Sequence, residues 1–120
     1  LKKYSGHIVS QRRSVKHNRA GTQKNRRQQD KHEFEQQNVF GTGAANTAYA
    51  KFFIGQSFQN PLTDPKTGLF LANVTFEPGC RNNWHIHHAA KGGGQLLVCT
   101  AGEGWYQEEG KPAVSLTPAP

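Results

Sequence analysis

The chain has 120 residues, 15 Lys/Arg against 8 Asp/Glu, six histidines and two cysteines. That length allows one domain at most, and no apolar run approaches the ~18–20 residues of a membrane span. Two cysteines, Cys80 and Cys99, lie outside any Cys-x-x-Cys spacing and are too few for a disulfide framework.

The charge is not spread evenly. Residues 1–31 hold ten Lys/Arg and one acid, whereas residues 32–120 hold five Lys/Arg and seven acids. The high pI therefore belongs to an arm, and the remainder is slightly acidic. The start, Leu1 to Ser10, lacks the apolar stretch of a secretory signal, which points to a soluble, cytoplasmic protein. The missing initiator Met suggests that Leu1 is not the natural start.

Residues 1–37 are rich in Arg, Lys, Gln and Asn, with no sustained period of 2 or 3.6. Such a segment buries too little apolar surface to offset the entropy of ordering, so it reads as a disordered or weakly helical basic arm. A basic arm can neutralise phosphates, but this one has two aromatics, Tyr4 and Phe34, and no recognised reading module. Nucleic acid is therefore not expected as a partner.

Residues 38–120 read as a β domain. Asn46 to Phe58 brings the first dense aromatic cluster, a turn or short helix leading into a strand. Asn60 to Gly68, with two prolines and a closing glycine, is turn chemistry. Leu69 to Glu77 alternates, with Phe70, Ala72, Val74 and Phe76 on one face. Pro78-Gly79 ends that strand, and Asn83 to His88 forms a short one. Gly92 to Gly94 is a flexible link, and the apolar Gln95 to Thr100 is expected to pair as a strand. Trp105 to Glu108 and Ala113 to Thr117 follow, each bounded by Gly or Pro turns. Short strands with this punctuation predict an all-β antiparallel barrel or jelly roll. About five strands are countable against the roughly eight of a closed double-sheet roll, so the barrel is read as incomplete at the C-terminus, a fragment.

The chemistry concentrates in Gly79-Cys-Arg-Asn-Asn-Trp-His85-Ile-His87 and the later Gln95. Alternate strand residues share a face, which sets the His85 and His87 imidazoles side by side with Cα atoms about 7 Å apart. Imidazole suits zinc, iron, copper or nickel, and Gln95 from a following strand would supply a third donor. Such a set leaves open positions on a divalent ion, as metal catalysis requires. His88 falls on the opposite face near the surface, where it is a candidate acid–base group. Arg81, just before the strand, is a candidate carboxylate clamp. Phe70, Val74, Phe76, Leu97 and Cys99 are expected to line the interior and bound a pocket for a small organic molecule.

These residues resemble the first motif of the cupin superfamily: Gly, five residues, His-x-His, a short link, Glu or Gln, six residues, Gly. Gly79, His85, His87, Gln95 and Gly102 occupy those places. The surrounding Val74 to Gly79 and Thr100 to Trp105 look like small single-domain cupins associated with carboxymuconolactone decarboxylase-type proteins. The link from His87 to Gln95 has seven residues, longer than the family pattern, and the second motif with its later His ligand is absent. The resemblance covers residues 38–118. It implies a cupin barrel holding a divalent metal (Mn, Fe, Zn or Ni), Lewis-acid chemistry of the decarboxylase, isomerase or lyase type on a small oxygenated substrate, and a homodimer. Two other readings stand beside it: a non-catalytic cupin that binds a metal or small molecule, and nucleic-acid binding through the arm.

Overall fold

A computed structural model describes residues 2–5, 23–68, 70–90 and 95–119. In chain order the elements are β1 (Lys2–Ser5), α1 (Gln23–Gln37), β2 (Ala44–Ala45), β3 (Phe53–Ile54), β4 (Ser57–Pro61), β5 (Ala72–Phe76), β6 (Arg81–Asn82), β7 (Ile86–Ala89), β8 (Gly104–Tyr106) and β9 (Val114–Leu116). The strands pair antiparallel in four small sheets, β1-β7, β2-β4-β5, β3-β6 and β8-β9. Mostly antiparallel strands with one helix fit a small all-β, cupin-like fold.

The largest sheet grows from the predicted turn. β4 and β5 pair from Ser57↔Phe76 to Pro61↔Ala72. Between them Asp64 caps a 3₁₀ turn, its side chain accepting from the Lys66 amide at 2.9 Å, and Gly68 closes the turn with φ 86°. Proline is tolerated at Pro61 because β2 reaches only Phe58 and Gln59, leaving that end of β4 an edge.

α1 is built of good helix formers, Gln, Lys, Arg and Glu, but Phe34 is its only large apolar residue. Composition allows either disorder or weak helicity for this segment, and residues 23–37 are helical. Residues 6–22 of the arm and the Gly92 to Gly94 link lie outside the described residues. An exposed Lys31–Glu35 pair at 3.9 Å adds little to helix stability. Contacts with the rest of the fold anchor the helix more firmly. Phe34 lies against Gly102, where an added Cβ would come within 3.1 Å of its ring. Asn38, 7% exposed, follows the helix and donates to Thr42 Oγ1 (3.1 Å) and Thr75 Oγ1 (3.3 Å). Its own Oδ1 accepts from Asn73 Nδ2 at 2.8 Å. One side chain thus ties the helix end to β5.

The buried apolar residues among those described are Phe76, Cys80 and Ala101. Phe53 tilts onto Phe76 with ring centroids 5.8 Å apart. Cys80, 1% exposed, sits so close to Gly55 that a Cβ there would meet Cys80 Cα at 3.0 Å.

One expected strand is absent. Gln95 to Thr100 joins no ladder, and Leu96 and Val98 are 88% and 72% exposed. The apolar composition gives the propensity, but a strand exists only where a neighbour supplies hydrogen bonds, and none of the described strands pairs with it. The strand expected over Leu69 to Glu77 is shorter, Ala72–Phe76, and Leu69 itself lies outside the described residues. The expected Trp105–Glu108 and Ala113–Thr117 strands appear as the β8-β9 hairpin.

Burial sets a pH expectation. Burial, with the Glu77 carboxylate nearby, raises the Cys80 thiol above its ordinary 9.0. A thiol that keeps its proton longer in the native state contributes fully below pH 9.0, and that contribution is lost as pH rises through the higher folded value. Urea midpoints are therefore expected to fall above pH 9, and Cys80→Ala to flatten that fall. An unchanged alkaline slope in the variant would remove Cys80 as its source.

Candidate functional site

The histidine pair is positioned by its approach strand. Gly79, with φ 85°, turns the chain after β5, and the Cys80 amide closes the turn on Glu77 O at 2.9 Å. β6 then pairs with β3 in the register Phe53↔Asn82 and Ile54↔Arg81. Asn83 holds the next bend: its amide donates to Phe52 O at 2.7 Å and its side chain to Lys51 O at 3.3 Å. His85 follows that bend, and His87 lies within β7, opposite Tyr4 of β1 in backbone register.

The two rings meet edge to face, centroids 4.9 Å apart and planes at 78°. His85 Nδ1 lies 2.7 Å from Asn83 O. A carbonyl oxygen only accepts, so Nδ1 carries a proton, and in the neutral ring Nε2 is the nitrogen with the lone pair. This is the arrangement that fixes a ligating imidazole's tautomer and aim.

The donor set can be tested for fit. A metal at about 2.0–2.1 Å from each nitrogen lies about 3.2 Å from each ring centre, so two imidazoles 90–110° apart on one ion have centres about 4.5–5.2 Å apart. The observed separation falls inside that interval. Among the described residues no group of three or more His, Cys, Asp or Glu comes together as a metal cluster. A further protein donor must therefore be of another type or lie elsewhere. Gln95 is of another type, and it stands exposed at the head of the segment running to Thr100.

The remaining predicted residues are distributed as follows. His88 is exposed in β7, and Arg81 is exposed in β6. Phe70 is 51% exposed ahead of β5. Val74 is half-buried opposite Gln59, and Phe76 is buried against Phe53. Leu97 and Cys99 are half-buried in the unpaired segment, with Cys99 Sγ donating to Ala101 O at 3.6 Å. Burial raises the Cys99 thiol pKa, the Ala101 carbonyl contact lowers it, and Glu103 raises it, for a net upward shift.

The structure thus brings His85 and His87 together and seats Phe76 in the core. Sequence reading missed Asn83, whose backbone carbonyl orients His85. No signal in the sequence marks it, because the group that orients His85 is a main-chain carbonyl, which every residue type carries. It also missed a cavity of about 240 Å³ between α1 and the β4-β5 ladder, because part of its wall comes from the basic arm.

No helix among the described residues is long and apolar enough to cross a membrane. No family model matches the chain, and no solved structure matches it. The chain is similar to an (R)-mandelonitrile lyase of Granulicella tundricola, 40% identical over 80 residues, which covers 65% of this chain and 58% of that enzyme. It therefore spans little more than half the length of the curated relative it matches. That partial match fits a cupin relationship.

Proposed function

We propose that His85, His87 and Gln95 hold a divalent metal in a cupin-type lyase acting on a small oxygenated organic substrate. One observation carries the reading: two imidazoles at 4.9 Å, one with its Nδ1–H held by Asn83 O and its Nε2 left to donate. Bound there, a Mn, Fe, Zn or Ni ion supplies Lewis acidity toward a developing alkoxide or enolate oxygen.

The similarity to a mandelonitrile lyase makes an α-hydroxynitrile a suitable first substrate class for this chain. Cleavage of such a molecule removes the hydroxyl proton and breaks the carbon–carbon bond to the nitrile. The electron pair leaves with cyanide, a carbonyl forms, and cyanide takes a proton. His88 alternates with His87 along β7 and so falls on the other face, which suits a proton carrier better than a third imidazole ligand. Arg81, exposed on β6, would neutralise an anionic group of substrate or product in this reading.

Metal content of the purified chain tests the reading, with turnover of mandelonitrile measured alongside. His85→Ala and His87→Ala are each expected to weaken metal affinity by at least about 10- to 100-fold, while the far-UV spectrum holds. Equal metal content in wild type and both variants would sink the metal assignment.

A second reading draws on exposure. His87 and Gln95 are both exposed, which suits a metal- or ligand-binding module lacking the water-excluded chamber of a catalyst. Stoichiometric metal binding without turnover on a panel of hydroxynitriles and carbonyl acids would favour it.

A further inference from the structure

The cavity between α1 and the β4-β5 ladder lies outside the histidine motif. It is about 240 Å³ and is lined on the helix side by Lys31, Phe34 and Glu35 and on the sheet side by Phe58, Phe76 and Glu77. Lys31, Phe34 and Glu35 follow the i, i+3, i+4 spacing of one helix face. Phe58 reaches it from β4, where its cross-strand partner is Thr75, also in the lining. The wall is held in place at both ends. Phe34 is seated over Gly102, and Asn38 clamps the helix end to Thr75 and Asn73.

Size and charge narrow the occupant. An apolar cavity of about 150 Å³ already accepts a benzene ring, and drug-sized ligands need about 300 Å³ or more. The volume here suits one ring with a small substituent. Phe34 and Phe58 bring two phenyl rings to the lining, and aromatic rings attract cations. Lys31 is engaged with Glu35 at 3.9 Å, so those charges offset each other. Among the described residues no cation forms an ion pair with Glu77, so no described residue compensates this carboxylate at the rim.

We infer that this cavity binds a compact organic cation, its apolar body against Phe34 and Phe58 and its ammonium group toward Glu77. This is a binding site independent of the proposed metal site and uses none of its residues.

The test is a calorimetric or NMR titration of the full chain with benzyltrimethylammonium, its neutral isostere neopentylbenzene, and the anion phenylacetate. Saturable binding of the cation in the millimolar range or tighter is expected, with the neutral compound at least about fivefold weaker and the anion weaker still. Glu77 is exposed, so Glu77→Gln keeps the fold; it is expected to weaken the cation about fivefold and leave the neutral compound unchanged. Phe34→Leu, which keeps apolar volume but removes a ring face, is expected to weaken the cation more than the neutral compound. Cation binding no tighter than that of the neutral isostere, an unaltered affinity in Glu77→Gln, or no saturable binding of the cation would each overturn the inference.

Discussion

Gly43→Ala is expected to cost about 3–5 kcal/mol, enough to leave much of a small domain unfolded at room temperature. Two causes add. The residue has φ 74°, where an L side chain meets its own carbonyl at a cost of about 1–2 kcal/mol. An added Cβ would also come within 2.4 Å of Gln59 O and 2.8 Å of Asn60 Cα. Those neighbours are backbone atoms of β4 and cannot swing aside as a flexible side chain can. Either the short β2 pairing opens or β4 shifts against β5. Gly110→Ala is the control, because Gly110 has φ 75° but nothing within 4 Å of the new Cβ. It isolates the backbone cost, and about 1–2 kcal/mol is expected. Urea midpoints of the two variants decide the matter. Equal losses would show that the approach of Gly43 to β4 is not tight in solution.

Asn38→Ala is expected to cost about 2–4 kcal/mol. The substitution removes two donated bonds, to Thr42 and Thr75, and one accepted from Asn73. Asn73 keeps a second partner in Gly41 O at 2.7 Å, so its amide is only partly orphaned. The Thr75 hydroxyl, in a residue 7% exposed, loses the donor that Asn38 provided. Asn38→Asp sharpens the experiment: it preserves the oxygen that accepts from Asn73 but removes both donated bonds. An intermediate loss is expected for Asp. If Asn38→Ala instead proves neutral in urea melts, the helix is not held to the sheet by this network.

Local spacing was the part of this fold that could be read from the chain. His85 and His87 meet because an i, i+2 pair on extended backbone has little choice, and the turn at Asp64 to Gly68 forms from residues that encode it within five positions. Contacts between distant segments were not legible. The apolar run after Gln95 has the composition of a strand, yet a ladder is a property of two segments and composition reports only one. The helix at Gln23–Gln37 has no apolar stripe to announce it; a phenylalanine over a glycine far downstream and an asparagine just past the helix end do the anchoring. Half of the candidate site was equally hidden. The Asn83 carbonyl that orients His85 is a main-chain group, and any residue type carries one.

Among the described residues the four sheets share no common ladder. Each can open without tearing hydrogen bonds in the others, so amide exchange would be graded, slowest along β4-β5 and faster in the two-residue β3-β6 pairing. Two of the proposed metal ligands, His85 and His87, stand just beyond that weak pairing, and the third, Gln95, heads the unpaired segment that leads toward β8. An ion gripped by all three would then act as a rivet between β7 and that segment, and part of its binding energy would go into holding together two stretches that no ladder joins.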